Sequence, residues 1–225
     1  MTPITCTEAW QRAHAGACIG VLELSGVDNR SACPALEARK RELESELRKR
    51  HGGLTRAQLV GLPVMREYVR YYRRFEKTYH VLQQLESVAL KGKALPAVSP
   101  LVDANFSAEL DTLVLTAGHD AEKLCAPVCI DVSTEADGIV QMNGAARQLP
   151  AGDMVMRDAQ GVSCSILYGQ DNRSPISRAT SVALYVAYAP AGVGQRAVRA
   201  QLEAILQHVR LCAARCAVEQ LAVYG

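Results

Sequence analysis

The chain has 225 residues, about the upper range for one domain, and its 49% hydrophobic and 21% charged residues are ordinary for a globular protein. A formal net charge of +2 excludes binding to polyanions through overall charge alone. No apolar stretch of about 18 residues marks a membrane span, and residues 1–10 lack the pattern of a secretion signal, so we expect a cytoplasmic protein without membrane contact.

Positive charge is concentrated in one part of the chain. Between Arg39 and Lys77 there are 12 Lys and Arg residues against 5 Asp and Glu residues, a local excess of seven. Such a surface can face a phosphate backbone. Helical surfaces also mix Arg and Glu for solubility, so both interpretations stay open.

The pattern before residue 91 is mainly helical. A short helix and then a strand, 18–24, open the chain, and Pro34 and the Gly52-Gly53 pair delimit the first long helix. The further predicted helices are 64–75, 78–90 and 101–110.

After residue 112 the pattern changes to short strands. Asn143-Gly144 indicates a hairpin, and residues 158–161 indicate a second turn. The predicted strands are 128–132, 138–142, 154–157, 162–167, 180–189 and 221–224, with a helix over 195–214. This order predicts one α+β domain over 1–225, with a mainly helical part, 1–90, and a mixed-sheet core, 91–225, that holds the site.

The eight cysteines are expected to be reduced thiols. Cys125 and Cys129 are four residues apart, as are Cys212 and Cys216, but neither pair has a third ligand nearby. Zinc sites use tighter spacings and further Cys or His ligands. We therefore favour buried structural cysteines over zinc and expect neither a metal nor another cofactor.

Several short motifs follow one another between Lys91 and Ser177. They are Ser99-Pro100-Leu101-Val102-Asp103, Gly118-His119-Asp120-Ala121-Glu122-Lys123-Leu124, the strand 128–132, the Asn143-Gly144 hairpin, Gly152-Asp153-Met154-Val155 and Ile166-Leu167-Tyr168-Gly169. Their order and spacing resemble the tRNA-editing domain of the phenylalanyl-tRNA synthetase beta subunit, a module that also occurs as small free-standing proteins.

This resemblance implies a three-layer α+β fold with a sandwich-like mixed sheet, flanked by N-terminal helices and a C-terminal helix. It also implies hydrolysis of the ester bond in mischarged tRNA, in trans, without aminoacylation. Three positions depart from the family pattern. Ala117 stands where the family has a catalytically implicated histidine, Gln170 and Asp171 stand near its specificity glutamate, and Phe106 stands at its asparagine, with Asn105 adjacent.

The segment Thr116-Ala117-Gly118-His119-Asp120 is the centre of the predicted site. His119 is the best acid/base candidate because imidazole titrates near neutral pH, and Asp120 is a candidate catalytic partner. Adjacent strand residues point to opposite faces, so both line one pocket only if Gly118 opens a turn. Alternatively, Asp120 caps a helix that begins at Ala121 while His119 packs nearby.

A second candidate segment runs from Tyr168 to Arg173. The backbone at Gly169 can approach a substrate, and Asp171 is a catalytic candidate that could hold its amino group. Arg173 could contact the terminal phosphate of tRNA or simply pair with Asp171. The predicted substrate-binding residues are His80, Asn105, Gly118, Tyr168, Gly169, Gln170, Arg173 and Ser177.

Basic residues recur at helical spacing before this core. The predicted tRNA contacts are Arg66, Arg70, Arg73, Arg74 and Lys77. The interleaved Tyr68, Tyr71 and Tyr72 could stack on unpaired bases or anchor the helix in the core.

The leading hypothesis is a trans-editing aminoacyl-tRNA deacylase that binds the aminoacylated 3′ end of tRNA. A second hypothesis is a non-catalytic module of the same fold that binds tRNA or an amino acid, and a third is a hydrolase for another small ester or amide. The amino acid, the tRNA and the oligomeric state stay open.

Overall fold

The computed structural model describes residues 1–225 and contains seven α-helices, five of which, from residue 34 to residue 112, follow one another without an intervening strand. The helices are α1 (Glu8–Ala13), α2 (Pro34–His51), α3 (Arg56–Val60), α4 (Pro63–Arg73), α5 (His80–Leu85), α6 (Pro100–Thr112) and α7 (Gln195–Cys212). α5 continues as a π-helical turn over Glu86–Leu90. A proline occupies the first turn of α2, α4 and α6, where its missing N–H costs no helical hydrogen bond.

Eleven strands form two sheets and a separate hairpin. They are β1 (Ile4–Cys6), β2 (Cys18–Ser25), β3 (Thr116–Asp120), β4 (Val128–Val132), β5 (Gly138–Val140), β6 (Ala146–Gln148), β7 (Met154–Asp158), β8 (Gly161–Ser165), β9 (Gly169–Gln170), β10 (Val182–Ala189) and β11 (Ala217–Tyr224). The first sheet has the order β1-β4-β7-β8-β9, the second has the order β11-β2-β10-β3, and β5 pairs with β6. Only the β1–β4 pairing is parallel.

The α+β class is confirmed, and the sheets combine parallel and antiparallel pairing as predicted. β1 and β2 come from the first 90 residues, so that part of the chain supplies a strand to each sheet. None of the helices has the length and apolar composition that crossing a membrane requires.

α6 and α7 cover one face of the second sheet. A side chain at Gly20 of β2 would collide with Val198 of α7, so glycine allows the helix to approach. The Tyr185 hydroxyl of β10 donates to the Leu101 carbonyl of α6 at 3.0 Å. These contacts place the two helices as a layer outside the sheet.

The tyrosines of α4 join this helix to both sheets. The Tyr68 hydroxyl donates to the carbonyl of Tyr188 in β10 at 2.7 Å. The Tyr71 hydroxyl donates to Asp153 at 2.7 Å and accepts the amide N–H of Met154 in β7. Because buried hydroxyls need partners, these bonds fix how α4 sits between the sheets.

The prediction that all cysteines are reduced is wrong for two of them. Cys33, just before α2, and Cys212, at the end of α7, form a disulfide with their Cα atoms 5.4 Å apart. Their separation of 179 residues left no local pattern to detect. The other six cysteines are free, including Cys216, which lies in the turn after α7 rather than on it.

A buried ion pair connects α2 to α6. Lys40 Nζ lies 2.8 Å from Asp103 Oδ2, and both side chains are at most 5% exposed. The other oxygen of Asp103 accepts the amide N–H of Val98 at 2.9 Å. Burial alone would lower the pKa of Lys40, but its bonds to Asp103 and Glu37 outweigh that effect and raise the pKa, so the lysine is charged.

Lys40→Met is expected to lower the free energy of unfolding by about 3 to 5 kcal/mol because it leaves the buried Asp103 unpaired. Urea unfolding would measure the loss. The control Arg12→Gln, which breaks an exposed pair with Glu8, should change stability by less than about 1 kcal/mol. A double variant, Lys40→Met with Asp103→Leu, should recover part of the loss; equal effects for Lys40→Met and the control would contradict a buried pair.

Candidate functional site

A cavity of about 570 Å³ lies along the outer edge of β3. It is enclosed by α5, α6, the β5–β6 turn and the segment from β8 to β9. The side chains of its apolar wall include Val98, Val102, Phe106, Met142, Ile166 and Ile176. A half-open apolar cavity with a few polar groups is typical of a small-ligand site.

The edge of β3 determines which backbone groups reach this cavity. β10 is the strand paired with it in the sheet, and on the other edge a single bridge joins His119 to Pro175. The Thr116 N–H donates to Glu109 Oε1 at 2.7 Å, and the Thr116 carbonyl accepts from Asn105 Nδ2 at 2.9 Å, so this residue faces away from β10. The backbone groups of a strand alternate in direction, so the N–H and C=O of Gly118 point the same way. The bridge between His119 and Pro175 uses the C=O, which faces the Ile176 N–H. The N–H of Gly118 has no side-chain partner, and Gly118 lines the cavity.

Glu109 places a carboxyl group in the cavity wall. The residue is 4% exposed, and burial raises its pKa to about 8 although the Thr116 N–H bond opposes the shift. Its second oxygen, Oε2, has no partner within the chain. The carboxyl is therefore largely protonated at neutral pH and is free to bind a ligand through Oε2.

Two amide side chains of the wall also have unused acceptors. Because Asn105 Nδ2 donates to Thr116, the orientation of this amide is fixed, and its Oδ1 is buried without a partner. Gln84 Oε1 is likewise buried and unpartnered. No Lys or Arg residue lines the cavity, so no cation of the chain satisfies these oxygens.

His80 supplies the imidazole of the cavity. Its ring makes edge contacts with the rings of Tyr72 and Tyr79, at centroid distances of 6.2 and 5.6 Å. Burial lowers the pKa of His80, so its ring is neutral at pH 7 and can accept a proton.

His119 does not line this cavity. It is fully buried, and its Nδ1 lies 2.8 Å from Ser174 Oγ, which donates to Asp171 Oδ1 at 2.8 Å. Since the serine proton is used toward Asp171, Nδ1 of His119 carries its own proton, and Nε2 is left as a buried acceptor without a partner. Burial lowers the pKa of His119 to about 4.

Asp171 and Arg173 belong to the same buried polar cluster. Arg173 Nε lies 2.6 Å from Asp171 Oδ2, and its Nη1 lies 3.1 Å from Asp158 Oδ1. Of the two roles considered for Arg173, phosphate contact and pairing with Asp171, the structure shows the pairing. His119, Asp171 and Arg173 meet in one cluster, but on the inside of the protein rather than at the cavity.

Asp120 lies on the opposite side of β3 from His119. β3 is continuous from Thr116 to Asp120, so Gly118 does not open a turn. The Asp120 carboxylate accepts the Glu122 N–H at 3.3 Å and the Thr180 hydroxyl at 2.9 Å, which is the helix-cap alternative. Ser177 bonds Thr180 and Asn29 and also lies outside the cavity.

The segment Tyr168–Gln170, which the sequence predicts to bind substrate, lines the cavity. Gly169 has a φ of +81°, which favours glycine. Lys77 Nζ lies 5.1 Å from the centre of the Tyr168 ring, so an exposed cation stands at the rim.

The five predicted tRNA-binding cations are all exposed, but they differ in their partners. Arg66 and Arg70 pair with the buried Glu67, at 3.0 and 2.6 Å. The other three, Arg73, Arg74 and Lys77, have no acidic partner, although Arg74 stacks near aromatic rings. Tyr68, Tyr71 and Tyr72 are buried, so stacking on bases is wrong for them and the core alternative is correct.

The cavity therefore unites six of the predicted site residues, namely His80, Asn105, Gly118, Tyr168, Gly169 and Gln170. Glu109 was missed. It follows Asn105 by four residues and so shares its helix face, a relation that the sequence pattern offers once Asn105 is chosen.

Comparisons with known proteins give little further identification. No family model and no curated protein matches the chain. A solved N-terminal fragment of the phenylalanyl-tRNA synthetase beta subunit from Pyrococcus horikoshii aligns with 94% of this chain, with a TM-score of 0.45 and 7% identity. The chain covers 51% of that fragment. This weak similarity extends over about half of the fragment and does not identify an editing module.

Glu109→Gln is expected to increase stability at alkaline pH relative to the natural protein. The raised pKa means that between about pH 4.5 and 8 the carboxyl is ionised when unfolded but protonated when folded. The stability of the natural protein therefore falls as the pH rises through that window, by an amount on the order of a few kcal/mol.

The measurement is urea unfolding of both proteins at pH 5 and pH 8.5. The contributions of the other titrating groups cancel when the free energies of unfolding of the two proteins are subtracted at each pH. Asp111→Asn, on the same helix but outside the cavity, is the control. Parallel pH curves for Glu109→Gln and the natural protein would show that Glu109 is not a buried, protonated carboxyl.

Proposed function

We propose that this protein binds the aminoacylated 3′ end of tRNA in the β3-edge cavity and hydrolyses the ester bond of mischarged tRNA. One observation carries the proposal. The same cavity contains the unbonded N–H of Gly118, the neutral imidazole of His80 and an apolar wall, and an exposed cation stands at its rim.

Ester hydrolysis needs a positioned water, a donor for the developing oxyanion and a pocket for the acyl group. In the proposed reaction the Gly118 N–H donates to the acyl oxygen. His80 accepts a proton from the attacking water and returns it to the leaving hydroxyl. The neighbouring hydroxyl of the terminal ribose can assist, so a triad is not required. His80 thus replaces His119 as the acid/base group because it is the imidazole that reaches the cavity.

The approach of tRNA is proposed to follow the end of α4. Arg73, Arg74 and Lys77 can neutralise phosphates without losing an ion pair. Lys77 contacts Tyr168, which lines the cavity, so the cationic surface leads into it.

The second candidate is a non-catalytic module that binds tRNA or an amino acid. The observation that favours it is the position of His119 and Ala117: the buried histidine is unavailable to a ligand, and Ala117, which lines the cavity, has no titratable group. A binding module would use the same cavity without turnover.

His80→Asn is expected to reduce the release of amino acid from a mischarged tRNA about 100-fold or more, because a general base contributes that much. The assay follows deacylation across a panel of mischarged tRNAs. His51→Asn, outside the cavity, is the control and should be unchanged. No acceleration over buffer on any charged tRNA would refute the deacylase, and tight binding without turnover would support the second candidate. Turnover of free aminoacyl esters alone would favour another small ester as the substrate.

Arg73→Ala combined with Lys77→Ala is expected to weaken tRNA binding and to lower the salt slope of log K by about two, one for each lost phosphate contact. Filter binding between low and moderate salt measures the slope. Arg199→Ala, an exposed cation on α7, controls for overall charge. An unchanged slope in the double variant would place the tRNA elsewhere.

A further inference from the structure

Among the polar groups of the β3-edge cavity, several hydrogen-bond acceptors lack a donor. Asn105 Oδ1 and Gln84 Oε1 are buried acceptors without a donor from the chain, the Glu109 carboxyl is bonded only by the Thr116 N–H, and no lysine or arginine lines the wall. Leaving buried acceptors unpaired costs free energy, so a ligand that supplies several donors would bind favourably.

We propose that Glu109 and Asn105 form a receptor for a primary ammonium group, so that the ligand of the cavity carries a free amino group. An ammonium group has three donors and no acceptor. It therefore complements two fixed acceptor oxygens, with Gln84 as a third because its amide can rotate to present oxygen. A carboxylate or phosphate group would find no charged donor at this place, only the proton of Glu109 or the amide N–H of Gln84.

The fixed positions of the two oxygens come from Thr116. Glu109 is held by the Thr116 N–H at 2.7 Å, and Asn105 is held by the Thr116 carbonyl at 2.9 Å. Gly118 is two residues further along β3, which at about 3.3 Å per residue places it about 6.6 Å from Thr116. Hydrogen bonds of about 2.9 Å at each end of an aminoacyl group can bridge such a distance. One α-aminoacyl group can thus bind the receptor by its amino group and Gly118 by its carbonyl oxygen.

The protonation of Glu109 gives this receptor a measurable signature. Its pKa of about 8 means that the empty site holds a proton at pH 7. An ammonium group beside it stabilises the carboxylate, so binding releases that proton. Of the other titratable groups in the wall, Cys164 stays protonated because burial raises its pKa to about 12, and His80 is already neutral.

The ammonium group is inferred from the cavity itself, but the identity of the rest of the ligand rests on the proposed function. The side chain of the amino acid would contact the apolar wall. The substrate class is then an aminoacyl ester with a free α-amino group and an uncharged side chain. Esters whose amino group is acylated are excluded from the site.

The experiment uses the amides of L-alanine, L-leucine and L-phenylalanine as probes, each beside its N-acetyl form. Calorimetry at pH 7 in two buffers of different ionisation enthalpy gives affinity and proton release together. At least one free amide should bind about tenfold or more tightly than its acetyl form, with net proton release. Glu109→Gln should abolish both the preference and the release, whereas Asp111→Asn should keep both. Equal binding of the free and acetylated forms, or no binding, would overturn the receptor.

A parallel assay separates this inference from the proposed function. Charged tRNA is offered with its α-amino group free or acetylated. Hydrolysis of both forms at equal rates would overturn the ammonium receptor and leave the deacylase standing. Selective, Glu109-dependent binding of a free amide without hydrolysis of any charged tRNA would support the receptor and remove the deacylase.

Discussion

The free edge of β3 is the constraint on which the site depends. An edge strand carries backbone groups without a strand partner, and buried ones must find partners elsewhere. Thr116 finds them in Glu109 and Asn105 of α6, and Asp120 finds one in the Ser174 carbonyl. Gly118, between them, keeps its N–H unbonded, while the bridge between His119 and Pro175 turns its C=O toward the Ile176 N–H. Filling the two ends of the edge therefore fixes Glu109 in the cavity wall and leaves one backbone donor for a ligand.

The alternation of β3 also explains which predictions from the sequence succeed. The long helices and the hairpin at Asn143-Gly144 follow from local patterns of polarity and turn residues, whereas the strand Thr116–Asp120 is not among the predicted strands. Local patterns do not decide which face of an edge strand meets the ligand. His119 and Gly118 are neighbours in sequence, yet one enters a buried polar cluster and the other lines the cavity. The role of Glu109 and the Cys33–Cys212 bond depends on contacts between distant elements, which no local pattern contains.

The excess of basic residues between Arg39 and Lys77 is explained by which of them pair with acidic residues in the fold. Most basic residues of α2 are balanced by acidic neighbours, as Arg39 is by Glu46 and Arg50 is by Asp111. For this helix the solubility interpretation is sufficient. Three exposed cations without acidic partners, Arg73, Arg74 and Lys77, lie at and just after the end of α4, beside the cavity rim at Tyr168. The buried tyrosines of α4 hold that end in place through their bonds to both sheets, so the helix that positions the cations also organises the core.

The most direct test of the central claim, that the β3 edge is the ligand site, is a crystal structure of the protein with a non-hydrolysable 3′-aminoacylamino analogue of adenosine. The account predicts that the acyl oxygen accepts a hydrogen bond from the Gly118 N–H and that the amino group contacts Glu109. An analogue bound away from the β3 edge, or one that opens the interior to reach His119, would contradict it.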